Sequence, residues 1–139
     1  DLPVEENQEI FEIARKNDFK VVCFIAPTTT DQRVSLITQK AQGFLYYISV
    51  VGITGIRDKL PDDIIQNINK LKQMTNIPVA VGFGVSTSEH AKLIGTVADG
   101  VIVGSAIMRE IEKYAKEPSE ELVRGVGEFV GQLISGTKG

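Results

Sequence analysis

Four short apolar runs alternate with segments of helical periodicity, and this order restricts the fold more than any other feature of the sequence. The apolar runs cover residues 20–26, 43–49, 77–84 and 99–105, and the helical segments cover residues 4–17, 27–41, 61–74, 86–98, 106–115 and 119–135. Strands that alternate with helices predict an α/β fold with a parallel sheet and right-handed crossovers. The continuous apolar run KVVCFIA further predicts a first strand that is buried on both faces.

Two architectures fit this order of elements. One is a small doubly wound sheet, and the other is half of a closed (β/α)8 barrel, the TIM barrel. A complete barrel takes about 250 residues, so 139 residues with four strand–helix units correspond to half of one. The opening DLPVEE looks like the exit from a strand that precedes residue 1. We therefore expect residues 1–139 to be part of a single larger domain.

Three helix patterns carry more detailed expectations. In the first helix, Ile10, Ile13 and Ala14 recur at helical spacing and predict a buried face. Before the fourth helical segment, Ser86 and Glu89 have the spacing of a capping box. The last helix contains three glycines, each of which costs about 1 kcal/mol relative to alanine. Their spacing would permit close packing against a neighbour, but the simpler interpretation is a helix that tolerates small residues at positions 125, 127 and 131.

Charge and composition exclude several classes of protein. The formal net charge of −3 and the absence of long Lys/Arg runs argue against a nucleic-acid surface. No apolar stretch approaches the roughly 20 residues of a membrane span. Cys23 is the only cysteine and lies within a predicted strand, which favours a reducing compartment. With His90 as the only histidine, a His/Cys metal site is not expected.

Glycine turns follow the last two strands. One strand ends in Gly82-Phe83-Gly84, and the next ends in Gly104-Ser105 directly before a short helix. A helix N-terminus presents free N–H groups and a partial positive charge, and glycine lets an anion approach them closely. Two such turns on consecutive strands predict a site for a phosphate monoester. The alternative is that both are merely tight turns.

The segment VVGITGIRDKLP, residues 50–61, is long for a connection and rich in glycine. It follows a strand whose end lies at the same predicted rim as the two glycine turns. Thr54 and Gly55 could therefore supply a third contact to the anion. The length of the segment is typical of a lid that closes over a substrate, and the alternative is an ordinary surface loop.

Three stretches together resemble the family of tryptophan synthase α subunits. They are GFLYYISVVGITGIRDKLP, PVAVGFGVSTSEH and DGVIVGSAIM, and the resemblance extends through the whole chain. It implies the C-terminal half of a TIM barrel, strands five to eight with their helices. It also implies a lyase that splits indole-3-glycerol phosphate into indole and glyceraldehyde 3-phosphate during tryptophan biosynthesis.

The resemblance assigns roles to individual residues. Backbone N–H groups at four positions are implied to hold the substrate phosphate: Gly55, Gly84, Gly104 and Ser105. Tyr46 and Phe83 are implied to line the substrate pocket. Thr54 corresponds to a lid residue, and Asp1 to an aspartate near the lid and the partner interface.

The resemblance also implies what this sequence lacks. The family's acid/base glutamate and aspartate belong to elements that precede residue 1, and Val50 stands where some members have an arginine. We therefore expect the chain to be inactive alone, and we expect its open sheet edges to be covered by the missing N-terminal half or by self-association.

Partners and location follow from the same resemblance. It implies an α2β2 assembly in which only the β subunit carries a cofactor, pyridoxal phosphate, and a location in the cytoplasm or plastid stroma. Two other interpretations of the sequence stay open. One is another phosphate-binding barrel enzyme, such as a sugar-phosphate isomerase, and the other is a non-enzymatic flavodoxin-like module.

Overall fold

Helices and strands alternate in the predicted order in the computed structural model, which describes residues 2–49 and 62–137. The strands are β1 (Cys23–Ile25), β2 (Leu45–Ile48), β3 (Val79–Gly82) and β4 (Gly100–Ile102). The helices are α1 (Gln8–Lys16), α2 (Asp31–Lys40), α3 (Asp62–Met74), α4 (Ser88–Gly95), α5 (Ser105–Lys113) and α6 (Ser119–Thr137). Each strand is shorter than its apolar run.

The four strands form one parallel sheet in the order β1-β2-β3-β4. Strand order follows chain order without a reversal, whereas a doubly wound sheet reverses direction at a switch point. Successive right-handed crossovers in one direction place all the helices on the same face of a sheet. The order therefore gives an open segment of a barrel wall, and it contradicts the flavodoxin-like alternative.

The two faces of the sheet differ in burial. One face carries buried side chains that pack with helix residues such as Phe11, Ile37, Ile68 and Ile94 in a single core. The strand residues of this buried face are Cys23, Ile25, Leu45, Tyr47, Val79 and Val81. The opposite face, called the open face below, carries Phe24, Tyr46, Ala80 and Gly100 in one row across the sheet, followed by Ile48, Gly82 and Ile102 in the next.

The prediction that the first strand is buried on both faces is wrong. Phe24 at the centre of β1 is 40% exposed, while Cys23 and Ile25 on either side are buried. The apolar run is continuous because its open-face residue belongs to a barrel interior. Within the described chain, no second layer covers that interior face.

Helix α1 begins later than its pattern predicts. Val4–Glu6 form a turn, and the helix starts at Gln8. Phe11 and Ala14 face the core, whereas Ile10 and Ile13 are about half exposed, so the predicted buried face is only partly covered within the chain.

Asp99 secures the amino-terminal end of the sheet, opposite the glycine turns. Its carboxylate accepts a hydrogen bond from the Val79 backbone N–H at 2.9 Å and forms an ion pair with the Lys72 ammonium group at 2.7 Å. The Lys72 ammonium group and the Val79 amide lower the pKa of Asp99. This contact joins β3, α3 and the start of β4 at the end of the sheet that supports stability in barrel folds.

Helix α6 is continuous across its glycines, and only one of the three that we singled out packs closely. A Cβ atom at Gly125 would overlap the Tyr114 ring, whereas one at Gly127 or Gly131 would meet no atom within 4 Å. The interpretation that the helix merely tolerates small residues holds for Gly127 and Gly131. At Gly125 it is wrong, because the missing side chain makes room for Tyr114.

This difference gives a matched pair of variants. We expect Gly131→Ala to raise the free energy of unfolding by about 0.5–1 kcal/mol, because alanine favours the helix and meets open space. Gly125→Ala gains the same propensity but displaces the Tyr114 ring, so we expect a net loss of stability. Urea denaturation of both variants measures the difference, and equal gains would show that Tyr114 moves away without cost.

Candidate phosphate site at the strand ends

The two glycine turns lie side by side at one end of the sheet. Gly82 of β3 pairs in register with Ile102 of β4, and both strands run in the same direction. Gly84 and Gly104 each come two residues beyond this pair. The structure therefore brings together the two turns that the sequence singled out.

Neither glycine is blocked by atoms of the residues that the structure describes. A Cβ atom added at Gly84 or at Gly104 would meet nothing within 4 Å. Gly84 has a φ of +63°, a conformation that costs any other residue strain. Both backbones are therefore exposed to a ligand at the rim.

The N-terminus of α5 has no side-chain cap. Gly104 occupies the N-cap position, and the Met108 N–H is bonded to the Gly104 carbonyl at 3.1 Å. Helix geometry leaves the N–H groups of Ser105, Ala106 and Ile107 without acceptors inside the helix. Ser105 is exposed, so these groups, with the positive end of the helix dipole, can bind an anion.

The neighbouring helix α4 differs at its N-terminus. The Thr87 hydroxyl accepts a hydrogen bond from the His90 N–H at 3.3 Å, so Thr87 is the N-cap. The predicted Ser86–Glu89 capping box is therefore wrong, because the cap lies one residue later and its N3 position is His90, which is neither Glu nor Gln. Hydrogen bonds at the start of the helix lower the pKa of Glu89, which keeps a negative charge there. An anion at the rim is therefore favoured at α5 and disfavoured at α4.

Below the rim, the open face of the sheet is asymmetric. The rings of Phe24 and Tyr46 meet edge to face at 5.2 Å and form a bulky aromatic surface over β1 and β2. Small residues occupy the other half, Ala80 and Gly82 on β3 and Gly100 on β4. The aromatic rings therefore project from the β1 and β2 side of the open face, and the small residues leave space on the side next to the glycine turns.

Sequence reasoning missed the part that Gly82 plays in this surface. A Cβ atom at Gly82 would overlap the Tyr46 ring, so the glycine provides the space in which the ring lies. The sequence signal for it is the pair of small residues at alternate positions of β3, Ala80 and Gly82, beside Gly100 on β4.

The structure places the remaining predicted residues as follows. Tyr46 lies on the open face, and its contact with substrate stays a prediction. Phe83 is only 2% exposed and packs in the apolar core, so its contact with substrate stays a prediction. Asp1, Thr54 and Gly55 lie outside the described residues, and their roles also stay predictions.

A one-directional parallel sheet with helices on one face and open glycine turns at its carboxyl-terminal rim is the arrangement found in phosphate-binding (β/α)8-barrel proteins. The chain matches the family described as tryptophan synthase alpha chain over residues 1–137. It therefore belongs to that family, and its fold is that of the C-terminal half of the (β/α)8 barrel.

Individual relatives agree with this assignment. The chain is 39% identical over 135 residues to the tryptophan synthase alpha chain of Chloroflexus aurantiacus, covering 97% of this chain and 50% of that protein. Tryptophan synthase subunit alpha of Legionella pneumophila superposes with a TM-score of 0.82 at 29% identity, over 99% of this chain and 49% of the other.

A third match comes from the tryptophan synthase α2β2 complex of Pyrococcus furiosus. It has a TM-score of 0.77 and 39% identity, over 94% of this chain and 53% of the other. The chain thus spans about half the length of the relatives it matches. Among the described residues, no helix is long and apolar enough to cross a membrane.

Proposed function

We propose that this chain supplies the phosphate-binding half of an α subunit that cleaves indole-3-glycerol phosphate into indole and glyceraldehyde 3-phosphate. One observation carries the proposal: two glycine turns that no described residue obstructs follow adjacent strands, and the second of them forms the uncapped N-terminus of α5. Family membership connects this anion site with the substrate. The geometry alone would suit any phosphate ester, including that of a sugar-phosphate isomerase.

Different residues are proposed to bind the phosphate and the indole of the substrate. N–H groups at Gly84, Gly104 and Ser105 would hold the phosphate without a cationic side chain, since the helix dipole supplies the positive potential. The ring of Tyr46 would lie along the flat indole, which suits an aromatic surface. Gly55 and Thr54 are proposed to complete the phosphate contacts and the lid.

The chemical step needs groups that the open face lacks. Cleavage requires a general acid/base and a carboxylate that stabilises the protonated indole. In the strands that the structure describes, the open face carries apolar residues, glycines and Tyr46, and no carboxylate. We therefore propose that this chain binds the substrate's phosphate and that turnover depends on the remaining half of the barrel.

The proposed partner is a β subunit in an α2β2 complex, as in the Pyrococcus furiosus assembly. Asp1 would lie near that interface. We propose that this chain needs no cofactor of its own and that pyridoxal phosphate belongs to the β subunit. A location in the cytoplasm or plastid stroma is part of the same proposal, and the single buried cysteine is compatible with it.

Titration with glycerol phosphate tests the binding role. In an amide NMR spectrum, we expect saturable shifts at Gly84, Gly104 and Ser105, because their N–H groups form hydrogen bonds to the anion. Gly127 and Gly131 on α6 are internal controls that should not shift.

Indole separates the two candidate enzymes. A tryptophan synthase α subunit should show additional shifts at Tyr46 when indole is added with glycerol phosphate, whereas a sugar-phosphate isomerase should not. Shifts centred on the start of α4 rather than α5 would contradict the proposed phosphate site. Turnover of indole-3-glycerol phosphate by the isolated chain would contradict the proposal that catalysis depends on the remaining half of the barrel.

A further inference from the structure

A small polar cavity lies between α2 and α3, on the opposite side of the sheet from the open face. Its volume is about 120 Å³, and its walls come from the end of β1 and the turn after it, from β2 and from the two helices. Buried apolar side chains form part of the lining, among them Ile25, Val34 and Leu71. The polar part of the lining consists of Thr29, Asp31, Tyr47, Asn67 and Lys70.

The Tyr47 hydroxyl is the most unusual group in this lining. Tyr47 is only 1% exposed, and its hydroxyl makes no hydrogen bond within the described part of the chain. Burial raises the pKa of the hydroxyl, and the nearby Asn67 side chain offsets part of this rise without completing a hydrogen bond. A buried polar group without a partner costs free energy, so this hydroxyl is well placed to bind a group that enters the cavity.

Two neighbouring side chains can bind the same guest. The Thr29 hydroxyl accepts a hydrogen bond from the Ala26 N–H at 3.0 Å, which leaves its own proton to donate. The Asn67 amide can both donate and accept, as can the Tyr47 hydroxyl. The three side chains therefore match a guest whose groups also donate and accept, and hydroxyl groups have this property.

The charged residues of the lining select against an ion. The Lys70 ammonium group bonds to both carboxylate oxygens of Asp31, at 2.6 and 2.7 Å. Both side chains are more than half exposed, so this ion pair lies where the cavity opens to solvent. An anion entering there would meet the carboxylate, and a cation would meet the ammonium group, which favours an uncharged guest.

The volume limits the size of the guest. A water molecule takes a share of about 30 Å³ in the liquid, so the cavity corresponds to about four waters or to one compact molecule of about six non-hydrogen atoms. A three-carbon polyol has this size.

We propose that the cavity between α2 and α3 is a binding site for a small uncharged polyol of the size of glycerol. The hydroxyl groups of the polyol bond to Tyr47, Asn67 and Thr29, and its carbon atoms contact the apolar wall. The site does not depend on the phosphate site at the rim, because the two share no residue.

Amide NMR titration with glycerol tests the proposal. We expect saturable shifts at Thr29, Tyr47 and Asn67, with a dissociation constant in the millimolar range that is typical of so small a ligand. Gly84 and Gly104 at the rim should not shift with glycerol. Glycerol phosphate should reverse this pattern, because its charge is repelled by the carboxylate at the mouth of the cavity.

A matched pair of tyrosine variants identifies the group that binds. Tyr47→Phe removes the buried hydroxyl and keeps the ring, so the fold should stay intact while the affinity for glycerol falls about tenfold. Tyr114→Phe removes a hydroxyl on α5, away from the cavity, and should leave the affinity unchanged. Urea unfolding without glycerol shows whether each variant keeps its stability.

Four results would overturn the proposal. They are shifts that do not saturate up to about 100 mM glycerol, a Tyr47→Phe variant that binds like the original chain, equal losses of affinity in both tyrosine variants, and glycerol phosphate shifting the same residues as glycerol. If Tyr47→Phe lowers the urea midpoint and glycerol causes no saturable shift, the hydroxyl bonds to ordered water only and the polyol site does not exist.

Discussion

Replacing Gly104 with aspartate should strongly weaken phosphate binding while leaving the fold intact. The residue is the N-cap of α5, its φ of −115° is not in the left-handed region that favours glycine, and an added Cβ meets no described atom within 4 Å. Aspartate is a favourable N-cap, so the stability of the helix should stay the same or rise slightly. Its carboxylate, however, would occupy the N–H groups of α5 and repel an incoming phosphate. We expect the affinity for glycerol phosphate to fall about a hundredfold.

Two controls separate the effects of charge, capping and shape. Gly104→Asn caps the helix without a charge and should cause a smaller loss of affinity. Gly104→Ala adds a Cβ without capping and tests whether bulk alone hinders the anion. Calorimetric titration with glycerol phosphate gives the affinities, and thermal unfolding gives the stabilities. If the aspartate variant still binds like the original chain, the phosphate does not lie on α5.

The backbone architecture was largely predictable because it depends on local patterns. Each apolar run and helical period corresponds to an element of the structure, and caps such as Thr30 at α2 follow from residue type. The shared rim of the two glycine turns was also predictable, because parallel strands that run in one direction end on the same side of the sheet. Their adjacency depends on the strand order, which places β3 next to β4.

The sequence did not predict which apolar faces of the helices and strands would stay exposed within this chain. Phe24 and Ile13 look like core residues in the sequence, but both are exposed. An apolar residue indicates that it will be buried, but it does not indicate which segment will bury it. The cap of α4 shifted from Ser86 to Thr87 because adjacent hydroxyl residues are nearly equivalent and backbone direction decides between them. The contact between Gly82 and Tyr46 depends on strand register, which composition does not specify.

Gly82→Ala should be the most damaging small substitution on the open face. The new methyl group would overlap the ring of Tyr46, which is held against Phe24 on its other side. Overpacking of this kind costs about 1–3 kcal/mol. The displaced ring should also weaken indole binding, because Tyr46 provides the proposed aromatic surface. Gly100→Ala, whose Cβ would lie 3.3 Å from the Ala80 Cβ, is the matched control and should cost less.

A double-mutant cycle with Tyr46→Ala separates this contact from general damage to β3. If overlap with the ring is the cause, Gly82→Ala should cost little once the ring is absent, and the coupling energy should reach about 1 kcal/mol or more. Urea unfolding of the four proteins measures it directly. Additive effects would mean that Gly82 is required by the backbone of β3 itself. In that case the space above Gly82 would have no part in shaping the pocket, and Tyr46 would be positioned by Phe24 alone.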